Sequence, residues 1–124
     1  MFDRARRVVV IDDDEDWRDL LVQFLADQGF EPVGFSDARE ALAALRDGAG
    51  IPAVILLDLE MPGMTGWEFR REQLRDPRLA RIPVVVASAA DTRSIDADAY
   101  LRKPYESTEL CRTLAAVSVR TIAA

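Results

Sequence analysis

At 124 residues the chain has the length of a single domain, enough to bury a real core and too short for a second one, so no fused output domain is expected. Its 22 acids against 16 bases give a net charge of −6, which disfavours direct nucleic-acid binding, because neutralising phosphates takes a basic face. The absence of histidine removes His-based zinc sites, histidine general bases and Ser-His triads together, leaving carboxylate, hydroxyl and lysine chemistry.

The first apolar run, Val8–Ile11, is too short for a signal peptide or a membrane span, and a cytoplasmic location is the default. Being β-branched, it reads as a strand that ends on the acidic run Asp12, Asp13, Asp14, Glu15 and Asp16. Trp17, Leu20, Leu21, Phe24 and Leu25 then repeat at helical spacing, and Gly29 suits the left-handed position after a helix. Glu31–Phe35 is a weaker strand whose Pro32 and Gly34 suit a sheet edge. Asp37 and Glu40 have the spacing of a reciprocal helix cap, and Ala41, Leu42 and Leu45 form the buried stripe of a helix stopped by Gly48.

Ala53–Leu57 is uninterrupted apolar chain ending on Asp58 and breaking at once into Met61-Pro62-Gly63, the pattern of a strand buried on both faces of a parallel sheet. A third helix is predicted over Gly66–Arg75, with Trp67, Phe69 and Leu74 as its apolar contacts. Pro83–Ala87 is another buried strand, followed by the small residues Ser88, Ala89 and Ala90; Ala99–Arg102 is a short strand before Lys103-Pro104. The last helix, capped by Ser107 or Thr108, buries Leu110, Leu114 and Val117. Cys111, the single cysteine, falls on its apolar side and reads as core.

Strands alternating with helices predict a doubly wound α/β fold with a parallel sheet, in which ligands bind at the C-terminal strand ends. Asp12, Asp13, Asp58, Ser88 and Lys103 all fall at those ends. An Asp beside Pro and Gly ordinarily just starts a turn, and acids opening a helix ordinarily just answer its dipole. Convergence on one edge is what singles these out. Carboxylates held together repel, and a hard divalent cation such as Mg²⁺ keeps them ionised while leaving positions for phosphate oxygens. Lysine and serine donors nearby suit phosphoryl transfer, with Asp58 as covalent acceptor.

The residues Val10-Ile-Asp12-Asp13-Asp14, Leu57-Asp58-Leu-Glu-Met61-Pro62 with Gly66, Ser88-Ala89, and Tyr100-Leu-Arg-Lys103-Pro104 together resemble the receiver domain of bacterial two-component response regulators. The resemblance covers nearly the whole chain. It implies a flavodoxin-like, five-stranded parallel sheet of order 2-1-3-4-5. It also implies that Asp58 is the phosphorylated residue, that Asp13, Asp58 and the Glu60 carbonyl hold Mg²⁺ directly, and that Asp12 holds it through water. Ser88 and Lys103 resemble the pair that senses the phosphate, and Tyr100 the aromatic that switches with Ser88. The implied partners are a sensor histidine kinase or histidine phosphotransfer protein as donor and a downstream protein target, with no nucleic acid and no membrane. One departure stands out: the eleven residues Ala89–Ala99 replace the family's full fourth helix and its loops, so that helix is expected to be shortened to a turn or two, or mobile.

Two other readings compete. A pseudo-receiver would keep the fold for binding alone, but this chain retains the acids, Ser88 and Lys103. A Mg²⁺-dependent phosphatase of the haloacid dehalogenase kind also uses an aspartyl nucleophile after a parallel strand, yet wants a second Asp where this chain has Glu60.

Overall fold

The valine-rich runs form the sheet. A computed structural model describes residues 6–48, 50–89 and 94–123. Strands β1 (Arg7–Ile11), β2 (Glu31–Phe35), β3 (Val54–Leu57), β4 (Val84–Ser88) and β5 (Ala99–Arg102) are joined by helices α1 (Glu15–Asp27), α2 (Ala38–Arg46) and α3 (Gly66–Arg75), and α4 (Ser107–Ala123) follows β5. All strand pairs are parallel, in the order β2-β1-β3-β4-β5. The expected fold class and order are those observed, with β2 and its Pro32 on the edge.

Pleating divides each central strand between two cores. Val9, Ile11, Ile55, Leu57, Val84 and Val86 pack on one side with Ala41, Leu42 and Leu45 of α2 and Phe69 of α3. Val8, Val10, Val54, Leu56 and Val85 pack on the other with Leu21 and Leu25 of α1 and Leu110, Leu114 and Val117 of α4. Because both faces are covered, these strands read as unbroken apolar runs rather than alternating ones. Register then aligns the strand ends, since Ile11 pairs with Leu57. The residues just beyond, Asp12 and Asp58, are brought side by side.

Three apolar expectations shift. Leu20 is 64% exposed and Leu74 48% exposed. In α1 the inward stripe is Leu21 and Leu25, and Leu20 borders a shallow groove with Trp17, Phe24 and Tyr105 instead. In α3 the inward position belongs to Gln73, which is fully buried because its Nε2 donates to the carbonyls of Leu79 at 2.9 Å and Ile82 at 3.0 Å. These carbonyls lie in the α3–β4 loop, where backbone has no ladder partner and needs one. Cys111 is half-buried rather than core, and burial pushes its thiol pKa up.

Caps also differ in place. Asp37 caps α2 by accepting from the Arg39 N–H at 2.8 Å. The reciprocal arrangement expected between Asp37 and Glu40 forms instead at α3, between Thr65 and Glu68. Gly29 and Gly48 follow α1 and α2 with φ of 91° and 78°, the left-handed geometry that stops a helix cleanly. Among the described residues no α-helix lies between β4 and β5: Ser94 has 3₁₀ geometry and residues 95–98 are bends and coil. The remainder of the expected short fourth helix, residues 90–93, lies outside the described residues.

Replacing Gln73 by Leu keeps the volume but leaves the buried Ile82 carbonyl without a donor and the Leu79 carbonyl with only the Ile82 N–H at 3.1 Å, and is expected to cost about 1–3 kcal/mol of stability. Urea unfolding checks this; a loss under about 1 kcal/mol would show that those carbonyls do not depend on Gln73.

Candidate functional site

Asp12 leaves β1 with its backbone fully engaged. Its N–H donates to the Phe35 carbonyl at 3.1 Å, and its carbonyl accepts from Arg18 Nη1 at 2.9 Å. Its carboxylate is occupied too, with Oδ1 accepting from the Asp14 N–H at 3.0 Å and Oδ2 from Lys103 Nζ at 3.1 Å. The rest of the acidic run divides by position. Asp14 caps α1 by accepting from the Trp17 N–H at 3.1 Å, and Glu15 and Asp16 occupy the first turn, where the helix dipole favours negative charge.

Asp58 is held from the other side. Its N–H donates to the Ile11 carbonyl at 3.0 Å, extending the β1–β3 ladder by one residue. The chain then turns through Gly63, whose φ of 77° suits a residue without Cβ. It returns so tightly that a Cβ on Gly66 would lie 2.5 Å from the Asp58 carbonyl oxygen and 2.7 Å from Leu59 Cα. Only glycine fits there, and Thr65 starts α3 with its reciprocal cap. The result is a rigid corner directly under Asp58.

The carboxylates of Asp12, Asp13 and Asp58 come together with ligand oxygens all within 4.8 Å of one another. The answering charge is Lys103, whose Nζ is 3.1 Å from Asp12 and 3.8 Å from Asp58. One ammonium facing three carboxylates leaves the site underneutralised. The pKa of Asp58 is raised to about 6, chiefly by burial; Lys103 pulls it down, Asp12 and Asp13 push it up again, and a hydrogen bond from the Leu59 backbone lowers it. The donor set is hard oxygen, with Asp13 accepting no hydrogen bond and no ion pair among the described residues. Residues and charge therefore fit a divalent cation of the Mg²⁺ type.

Ser88, Glu60 and Tyr100 lie on β4, in the turn after β3 and on β5 respectively. Ser88 is buried at the end of β4, and its carbonyl accepts from the Lys103 N–H at 3.1 Å, so hydroxyl-bearing and amine-bearing residues share one backbone link. Glu60 lies in the turn after Asp58 with its side chain exposed. Tyr100 is 45% exposed and directed elsewhere: its hydroxyl donates to the Ile95 carbonyl at 2.7 Å and accepts from the Ala97 N–H at 2.9 Å. Two neighbours were not singled out in the sequence. Arg18 carries a positive charge in the first turns of a helix, where the dipole disfavours it, a misfit that was the available sequence signal for a tertiary partner. Tyr105 packs edge-on against Trp17 with ring centroids 6.0 Å apart. Burial, then the charges of Asp12 and Asp58, push its hydroxyl up to about 12.

A match to the response regulator receiver domain spans residues 8–115, and the chain belongs to that family. It is a receiver domain of the two-component response regulators. It is 36% identical over 118 residues to the sensory transduction protein RegX3 of Mycolicibacterium smegmatis, covering 89% of this chain and 49% of that protein. It is 32% identical over 123 residues to the phosphate regulon transcriptional regulatory protein PhoB of Escherichia coli K12, covering 94% and 53%. The chain thus spans about half the length of the curated relatives it matches. Among solved structures, the response regulator TrrA of Thermotoga maritima in complex with Mg²⁺-BeF superposes with a TM-score of 0.79 at 27% identity, covering 90% of this chain and 98% of that one. A CheY-like receiver domain protein from Methanospirillum hungatei shares the fold with a TM-score of 0.84 at 21% identity, covering 95% and 97%. None of the described helices is long and apolar enough to cross a membrane.

The raised Asp58 pKa has a pH signature. Stability associated with its protonated form is fully present below the ordinary value of 3.8 and lost as pH rises through about 6. In metal-free protein, Asp58→Asn is therefore expected to be more stable than wild type at pH 7.5. Screening by the water this carboxylate still meets limits the gain to about 1 kcal/mol. The gain should vanish towards pH 4 in paired urea titrations; a pH-independent difference would contradict the assignment.

Proposed function

We propose that the chain works as a cytoplasmic response-regulator receiver that accepts a phosphoryl group on Asp58 and signals by binding another protein. The observation that carries this reading is the cluster of Asp12, Asp13 and Asp58 with Lys103 at the C-terminal sheet edge, in a family whose members act in two-component signalling. The donor is a phosphohistidine of a sensor histidine kinase or histidine phosphotransfer protein, since none of the 124 residues is a histidine. An oxygen of the ionised Asp58 attacks phosphorus, the P–N bond breaks, and the imidazole of the donor leaves with the bonding pair and takes a proton.

Asp13, Asp58 and the Glu60 carbonyl would hold Mg²⁺ directly. Asp12, whose two oxygens already accept from protein donors, would hold it through water. The bound cation supplies the positive charge that keeps Asp58 ionised and offsets the phosphoryl oxygens. Lys103 is within reach of the same oxygens and neutralises part of the charge added to Asp58, and the Ser88 hydroxyl supplies a further donor beside it. Tyr100 then reads the change by giving up its bonds to Ile95 and Ala97, a shift between two preexisting states rather than turnover of a substrate. A net charge of −6 supports a protein target over nucleic acid.

Incubation with acetyl phosphate followed by intact-mass analysis tests this. One phosphoryl adduct is expected in the presence of Mg²⁺, and none after chelation or in Asp58→Ala. Absence of any adduct on folded wild-type protein would favour a fold kept for binding alone, and multiple turnover of small phosphate esters would favour a phosphatase.

A further inference from the structure

We infer that Arg18 is a positioning residue for the cation site: by clamping the Asp12–Asp13 peptide, it aims the Asp13 carboxylate, and Gly34 of the edge strand makes room for the clamp. The inference rests on the receiver reading above and names a part of the site which that reading does not contain.

The three acids of the cluster are held in place very unequally. Asp12 is fixed by hydrogen bonds to its N–H, its carbonyl and both carboxylate oxygens. Asp58 is fixed by its backbone bond to Ile11 and by the closely packed corner at Gly66. Asp13 is exposed, and its carboxylate takes no hydrogen bond or ion pair from any described residue. Its direction is therefore set by its backbone alone. The plane of the preceding peptide contains the Asp12 carbonyl, and that carbonyl is what Arg18 Nη1 holds at 2.9 Å. A peptide unit is planar, so fixing its oxygen fixes the N–Cα bond of Asp13 and with it the cone in which the Asp13 side chain points.

Arg18 reaches back to this carbonyl from α1 along a path over β2. Its stem lies against Gly34, where an added Cβ would meet Arg18 Cδ at 3.1 Å, Arg18 Cγ at 3.2 Å and Val22 Cγ2 at 3.3 Å. Gly34 does not have a positive φ, so glycine is not required by the backbone there. What its missing side chain provides is the channel for the arginine stem. A β-branched residue would suit an exposed edge strand better on propensity alone, yet it would push the guanidinium off the Asp12 carbonyl.

The sign of the effect separates positioning from simple charge. Removing a cation near three carboxylates tightens Mg²⁺ binding if Arg18 acts only through its field. Loss of a ligand's orientation weakens it, by about tenfold at the low end for residues that orient a metal ligand. The experiment is calorimetric titration of metal-free protein with Mg²⁺ for wild type, Arg18→Met, Arg18→Lys and Gly34→Val, with thermal unfolding as a check on each. Exchange of the Asp14 amide, which bonds Asp12 Oδ1, is followed by NMR in the absence of metal. Weaker Mg²⁺ binding is expected in Arg18→Met, with partial recovery in Arg18→Lys. Weakening in the same direction is expected in Gly34→Val, which alters no charge, together with faster Asp14 exchange in Arg18→Met. Unchanged or tighter Mg²⁺ binding in Arg18→Met and Gly34→Val would overturn the inference. If wild type itself binds no Mg²⁺, the proposed function fails. The clamp is then decided by Asp14 exchange, an unchanged rate overturning it.

Discussion

Three carboxylates share a site with a single ammonium, and the rest of the molecule is arranged around that imbalance. Asp12, Asp13 and Asp58 lie within 4.8 Å of one another, and Lys103 reaches two of them. Burial of Asp58 makes the mismatch costly enough to hold its pKa near 6. Such a site gains from any event that adds positive charge or spreads negative charge onto other donors. Cation binding does the first. Transfer of a phosphoryl group onto Asp58, as proposed, would move the anionic oxygens outward, toward Lys103 and a bound cation, where donors would be available.

What keeps the acids together against their repulsion is the sheet. The register that pairs Ile11 with Leu57 leaves Asp12 and Asp58 adjacent. Two apolar cores, one on each face, fix those strands and so hold the backbones of Asp12 and Asp58 side by side. Gly66 and the reciprocal cap at Thr65 and Glu68 turn the chain directly beneath Asp58. Rigid backbone on that side contrasts with Asp13, whose carboxylate depends on one clamped peptide. In the connection from β4 to β5, the Tyr100 hydroxyl is bonded to Ile95 and Ala97. Trp67 Nε1 donates to Ser94 Oγ at 2.9 Å and Arg70 Nε to the Asp96 carbonyl at 2.9 Å. The segment of residues 94–97 is therefore tied both to β5 and to α3.

Much of this was legible in the sequence because it is written in patterns of burial. Runs such as Val54–Leu57 are apolar on both faces of the chain, and only a covered parallel sheet explains that. Once strands are placed, their C-terminal residues follow, which is why Asp12, Asp13, Asp58, Ser88 and Lys103 could be named together. Features that depend on a single tertiary partner were not legible. Gln73 reads as a surface residue of α3 until the loop carbonyls of Leu79 and Ile82 are seen beside it. Leu20 and Leu74 fit a helical period but lie just off the stripe that faces the sheet. Periodicity fixes spacing along a helix, while the rotation of the helix about its axis is set by what it packs against. Arg18 belongs to the same class: its charge near the start of α1 hints at a partner, but nothing along the chain names the Asp12 carbonyl as that partner.

The most direct test of the central claim is a pH titration of the Asp58 side-chain carboxyl carbon by NMR, in metal-free protein and again with saturating Mg²⁺. The account predicts an inflection near 6 without metal, moving well below that value when Mg²⁺ is present. An inflection at the ordinary 3.8 that ignores Mg²⁺ would contradict it, because the three acids would then be neither in conflict with one another nor answered by a cation.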